Sequence, residues 1–192
     1  MKFSKFLTNY LTNLSSSILI SDAKNIEKAI LEIEKVIKRK GTIFVCGNGG
    51  SAAIANHYVC DYLKFLRQYT KYKPKIISFS NSVETITALA NDMDQKKIYS
   101  YQAESLCEKK DLVLIISSSG NSKNIIELLK FTKKQKIKTI GFSGFQGGYL
   151  KRNSNVSIHI KTNNYGTAED AHHILMHVIV QYLILKSKGK SN

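Results

Sequence analysis

The stretch TIFVCGNGGSAAIANHYVCDYL, residues 42–63, joins a β-rich apolar run to a helical pattern through the loop Gly47 to Ser51. The run "TIFVC" predicts a strand, and the residues after the loop predict a helix over 51–66. On that helix His57 and Asp61 stand four residues apart, a spacing that puts both on one face. A strand that ends in glycines and feeds a helix is the opening of an α/β alternation.

The alternation continues. "KIISF" at 75, "DLVLIIS" at 111, "KTIGF" at 138 and "NVSIHI" at 155 read as further strands. Helical stretches fall over 82–108, with a break at "ANDMD", and over 122–135. The single proline, Pro74, sits in the loop before the second strand. Two helices lead the chain, at 3–19 and 22–39. In the second, Ile26, Ala29, Ile30, Ile33, Val36 and Ile37 recur at helical spacing behind the cap candidates Ser21 and Asp22. The expected fold class is α/β, a parallel sheet with helices on both faces. A last helix starts near Thr167, and "AHHILMHVIVQYLIL" is apolar nearly all round. Such a helix must be covered on several sides, which predicts an oligomer, with Val180 at the contact between subunits. The tail "KSKGKSN" is expected to fray.

A chain of 192 residues suits one domain with a single core. Cys46, Cys60 and Cys107 form neither a CxxC pair nor a Cys/His cluster, so no disulfide framework or zinc finger is indicated and a reducing compartment is expected. No apolar run reaches the length of a membrane span and the N-terminus lacks a leader pattern, so a cytoplasmic protein without a membrane partner is expected. The formal charge of +15 raises nucleic acid as a partner. Against it, 26 of the 29 basic residues are lysines scattered through every segment, leaving Arg39, Arg67 and Arg152 for bidentate contacts. A lysine surface also steers small anions inward.

In an open parallel sheet the ligand lies at the carboxyl ends of the strands. Two loops there share a character: "GNGGS", Gly47 to Ser51, and "SSSGNS", Ser117 to Ser122. Glycines admit a ligand close to backbone N–H groups, serine hydroxyls add donors, and the following helix N-terminus favours an anion. Neither loop carries GK[ST], and neither gives GxGxxG with an acidic residue in register, so a phosphate monoester fits better than a nucleotide. A second group of titratable residues, Glu169, Asp170, His172, His173 and His177, opens the last helix. Three buried histidines would be a costly way to fill a core.

Taken together, "CGNGGSAAIANHYVCDYL", "ALANDM", "SSSGNS" and "AEDAHHILMHVIVQYL" resemble the sugar isomerase (SIS) domain, and within it the phosphoheptose isomerases. The resemblance covers nearly the whole chain. It implies one domain over 1–192, a three-layer αβα sandwich around a five-stranded parallel sheet, with helices of 1–40 packing on it and on partner subunits of a homotetramer. Substrate contacts would fall on Asn48, Gly49, Gly50 and Ser51, on Asn91 and Asp92, on Ser117, Ser118, Ser119 and Ser122, and on Asp61 and Glu169. One zinc ion per subunit would be held by His57, Asp61, Glu169 and His177, with Asp61 as base and His177 as its proton-moving partner. The chain departs from the family pattern where Asp61 replaces a longer glutamate and Glu169 replaces a neutral glutamine. Helical spacing by itself points elsewhere for the ligands, since His173 and His177 are one turn apart whereas Glu169 and His177 are two.

The resemblance implies an aldose–ketose isomerase acting on a phosphorylated sugar, sedoheptulose 7-phosphate to a manno-heptose 7-phosphate, for lipopolysaccharide or another surface glycan. The competing reading is a non-catalytic SIS protein of the replication-initiation regulator type, which binds a protein partner and has no need of an acid, a base and a ligand set.

Overall fold

The computed structural model describes residues 1–189. Five strands, β1 (Thr42–Gly47), β2 (Lys75–Ser78), β3 (Leu112–Ser117), β4 (Lys138–Ser143) and β5 (Val156–His159), form one parallel sheet in the order β2-β1-β3-β4-β5. β3 lies at the centre because every residue of "LVLIIS" is buried, which only a strand covered on both faces requires. Its side chains alternate between two cores. Leu112, Leu114 and Ile116 join Ile43, Val45, Ile140 and Phe142 on one face, and Val113 and Ile115 join Phe44 and Cys46 on the other.

Helices α1 (Phe3–Leu19), α2 (Ala23–Lys38), α3 (Gly50–Cys60) and α9 (Tyr165–Ser187) cover the first face. The second is covered by α6 (Ile98–Leu106), α7 (Lys123–Lys134) and α8 (Gly148–Asn153). The expected three-layer αβα sandwich is therefore present. Asp22 caps α2 as the sequence predicts, its carboxylate accepting from the N–H groups of Lys24 and Asn25. Such a cap contributes about 0.5–2 kcal/mol. Glu34 on α2 ties the far end of α9 to the body: it receives Lys186, Lys38 and the Tyr72 hydroxyl. Burial opposes its ionisation, but those donors pull its carboxyl down to about 2.

Several elements differ from the sequence reading. The predicted 51–66 helix is α3 followed by a π-helical turn, Asp61–Leu66, and a short α4 (Arg67–Tyr69). The expected break at "ANDMD" is present: α5 (Val83–Leu89) gives way to a second π segment, Ala90–Asp94, and a 3-10 turn, Gln95–Lys97, precedes α6, with Asp94 itself in an extended conformation. π-helical turns are rare and concentrate at functional positions, and both here carry candidate site residues. α8 was not foreseen, because its six residues are too few to show a period. α9 starts at Tyr165, since the Asn164 side chain caps it by accepting from Thr167 N–H.

α9 is buried along Ala171, His172, Leu175, Met176, Ile179, Val180 and Leu183. Val180, 3% exposed, belongs to the core of its own chain, which corrects its expected place between subunits. The exposed apolar row of α9 is instead Ile174, Val178, Tyr182 and Leu185. Of the tail, Lys186 and Ser187 are helical, while residues 190–192 lie outside the described residues. Among the described residues no helix is long and apolar enough to cross a membrane, and all three cysteines are free thiols.

Candidate active site

With the order β2-β1-β3, neighbouring connections leave β1 and β3 in opposite directions, and the crevice at their carboxyl ends is the switch point where such sheets bind ligands. The loops after β1 and β3 are the two glycine- and serine-rich loops. A cavity of about 780 Å³ opens there, walled by Asn48, Gly49, Ser122 and Lys123, with Lys96 and Tyr99 opposite.

The first loop is braced from three elements. The amides of Asn48 and Asn124, the latter in the first turn of α7, exchange hydrogen bonds of 3.0 and 2.8 Å. The Tyr99 hydroxyl on α6 donates to the Gly47 carbonyl and contacts Asn48 Oδ1 at 3.1 Å. Ser80 Oγ, after β2, both accepts from Gly47 N–H and lies 2.9 Å from its carbonyl. A Cβ on Gly47 would fall 2.5 Å from the Ser51 carbonyl oxygen, so the tight turn into α3 requires glycine. In the second loop Gly120 has φ +65°, and a Cβ there would collide with the Gly147 carbonyl. Both loops are thus pre-shaped, and their N–H groups are held for a ligand at little further entropic cost.

Within the second loop the serines have different jobs. Ser117 Oγ accepts from Gly120 N–H and Ser119 Oγ from Asn121 N–H, which shapes the turn. Ser118 Oγ is buried without a partner, and Ser122 lines the cavity. Asn91 and Asp92 lie on the second π segment, joined by a 2.7 Å hydrogen bond and exposed; Asp94, Gln95 and Lys96 just beyond them reach the cavity wall. Sequence reading missed Ser80, Lys96, Tyr99, Lys123 and Asn124. Lys123 and Asn124 directly follow the "SSSGNS" motif and could have been taken with it; the others come from distant segments and carry no local signal.

α3 leads from this crevice to the titratable cluster, with His57 seven residues, about 10 Å, beyond Gly50. α9 runs beside it in the same direction. Its Glu169 is set against Gly50, so close that a Cβ there would collide with the carboxylate. One and two turns on, the rings of His173 and His177 lie 4.7 and 5.1 Å from that of His57. Asp61, 2% exposed, has Oδ2 at 2.9 Å from His177 Nδ1 and Oδ1 at 3.4 Å from His57 Nε2. Neither contact has hydrogen-bond geometry, so both oxygens are buried without a donor. Burial pulls the His173 imidazole below its usual value, and His177 and His57 beside it add to the shift. His172 does not belong to this group: it is fully buried against Phe142, with neither ring nitrogen hydrogen-bonded.

A buried carboxylate without donors, faced by imidazole nitrogens, is the arrangement a divalent cation satisfies. His57, Asp61 and His177, three of the four residues expected as ligands, are brought together; Glu169 is held apart from them at the start of α3. Nitrogen ligands with one carboxylate suit zinc or its first-row neighbours better than magnesium or calcium.

Known proteins fall into line with this architecture. The SIS domain family model matches residues 7–144. A protein of Thermoplasma acidophilum named "Probable phosphoheptose isomerase" is 36% identical over 160 residues, covering 81% of this chain and 86% of its own length. The phosphoheptose isomerase of Aliarcobacter butzleri is 31% identical over 158 residues, covering 82% of this chain and 83% of its own. The solved structure of a phosphoheptose isomerase from Francisella tularensis superposes with a TM-score of 0.85 at 22% identity, covering 96% of each chain, a likeness of fold. The braced glycine and serine loops at the switch point, the helices that carry His57 and His177, and these matches together place the chain in the SIS domain family.

Proposed function

We propose that the protein interconverts a ketose phosphate and an aldose phosphate, with sedoheptulose 7-phosphate as the substrate and a manno-heptose 7-phosphate as the product. The observation that carries this reading is Asp61, a buried carboxylate with no hydrogen-bond donor, set between His57 and His177 and reached along α3 from a braced anion cradle. The relatives named phosphoheptose isomerase support the choice of reaction. The product would feed a surface glycan such as lipopolysaccharide, in the cytoplasm.

The phosphate is held by the second loop and the start of α7, and this remote binding energy positions the reacting carbons. Asp61 removes the proton next to the carbonyl, leaving an enediol, and returns it to the neighbouring carbon. His177, 2.9 Å from Asp61, moves protons between the two substrate oxygens, a task imidazole performs near neutral pH. A zinc-type ion held by His57, Asp61 and His177 would supply positive charge for the enediolate. Asn48, Gly49, Gly50, Ser51, Asn91, Asp92 and Glu169 orient the sugar chain. Incubation with sedoheptulose 7-phosphate beside a panel of shorter ketose phosphates, with aldose product followed by NMR, tests the reading; no aldose from any of them overturns it.

Ser119→Ala is expected to weaken sugar-phosphate binding by about 1–3 kcal/mol, the cost of leaving a charged acceptor short of a donor. Calorimetry checks this, and unchanged affinity removes Ser119 from the site. The exposed apolar rows, Phe3, Phe6, Leu7 and Leu11 on α1 and Ile174, Val178, Tyr182 and Leu185 on α9, form the contacts of a homotetramer. Val178, 47% exposed, is the position to test. Val178→Asp should dissociate the assembly while leaving the circular dichroism spectrum intact, and light scattering that still reports a tetramer would contradict this packing.

A further inference from the structure

His57, His173 and His177 each offer one ring nitrogen, and these three atoms all lie within 4.8 Å of one another. The His173 and His177 rings are stacked at 4.8 Å with 18° between their planes, as residues one helical turn apart on the same face must be. His173 Nε2 is buried without a hydrogen-bond partner, although the residue itself is only part-buried. An imidazole nitrogen withdrawn from water, on a ring that stands among two other imidazoles, gains nothing from protein contacts alone. The two donor-less oxygens of Asp61 lie beside two of these rings, those of His57 and His177.

Bonds of about 2.0–2.1 Å to a tetrahedral ion place its donor atoms roughly 3.3 Å apart. Asp61 Oδ1 lies 3.4 Å from His57 Nε2 and Oδ2 lies 2.9 Å from His177 Nδ1, so each carboxylate oxygen stands near that spacing from one imidazole. The imidazole trio needs only a modest contraction, which the exposed His57 side chain can make. Glu169 is in another situation. Eight residues before His177, it is about 12 Å away along the helix axis. Its carboxylate is packed against Gly50, where the positive end of the α3 dipole favours it.

We propose that His173, and not Glu169, completes the metal site, giving a coordination set of His57, Asp61, His173 and His177. The inference rests on the metal-assisted reading of the site but concerns this chain's own ligands. Glu169 is then a positioning residue that fixes α9 against the first loop, and its carboxylate stays free of the ion.

The test is cobalt(II) binding to the purified protein after chelation, read by visible absorption and by bound-metal content, with no turnover involved. The parent protein should bind one ion per chain with the intense visible bands of four-coordination. His173→Ala should lower the affinity by about 100-fold or more, beyond the 10- to 100-fold that loss of a mere outer-shell partner costs. Glu169→Ala, which removes every donor atom, should keep affinity within about threefold of the parent, a change small beside that range. His173→Cys should restore binding and add a near-ultraviolet sulfur-to-cobalt charge-transfer band, which only direct contact with the ion produces. Full cobalt affinity in a folded His173→Ala protein, or a cobalt-loaded His173→Cys protein without that band, overturns the proposal. So does a folded Glu169→Ala protein that has lost its ion. A parent that isomerises sugar phosphate but binds no metal overturns the ligand set while leaving the isomerase reading in place.

Discussion

Asp61→Asn is expected to lower turnover by about 100- to 10,000-fold, roughly 3–5 kcal/mol of transition-state stabilisation, because an amide of the same shape cannot take the proton. Asp61 is 2% exposed and its oxygens have no hydrogen-bond donors, so the substitution breaks no protein hydrogen bond while it removes the base and the negative charge beside His57 and His177. Binding of the sugar phosphate should persist, since the cradle is built from loops braced by Ser80, Tyr99 and Asn124. Hydrogen exchange separates this route from a hydride shift. In deuterated water the parent protein should place solvent deuterium at the carbon that gains a proton, and Asp61→Asn should abolish that incorporation together with turnover. Isomerisation at the parental rate by the Asp61→Asn protein would end this mechanism. Solvent exchange that survives without Asp61 would move the base elsewhere, with Glu169 at the mouth of the first loop the next residue to test.

The second large effect is on stability in acid. His172 is fully buried against Phe142, and burial pulls its imidazole down to about 4 from an ordinary value of 6.5; the nearby Ser143 backbone only partly offsets this. Above pH 6.5 the ring is neutral in both folded and unfolded chains, and its contribution is fully present. As the pH falls from 6.5 towards 4, the unfolded chain takes up a proton that the folded chain refuses, so stability is lost. The loss through this window is about 3 kcal/mol, taking 1.36 kcal/mol per unit of displacement. Urea unfolding measured at steps between about pH 7 and 4 should show it. His172→Leu, close in volume and without a titrating group, should flatten this part of the profile. A variant that loses as much stability as the parent over the same range would assign the loss to other groups.

How far the sequence carried depends on the range of the interaction. β3 announces its central place because six consecutive buried residues can only be satisfied between two layers of helices. Asp22 announces the start of α2 because a cap is a contact across three residues. The two cradle loops were legible for the same reason: Gly47 and Gly120 answer demands of their own turns, and the helix that follows each loop is the next element in the chain. The i, i+4 spacing likewise put His57 with Asp61, and His173 with His177, before any packing was known.

Helical periodicity states which residues share a face, but not which face meets which neighbour. That limit explains Val180, whose apolar character fits a subunit contact as well as a core, and which the packing of α9 on the sheet assigns to the core. It explains Tyr99 and Ser80, which reach the first loop from segments more than thirty residues away in sequence. The geometry of the titratable cluster was decided in the same way. The sequence by itself determined the α/β order, the two anion loops and the pairs one turn apart. Only the tertiary structure decided that α3 and α9 run side by side in one direction, with Glu169 beside Gly50 and His173 beside His57, because that register is set by burying the apolar face of each helix against the sheet.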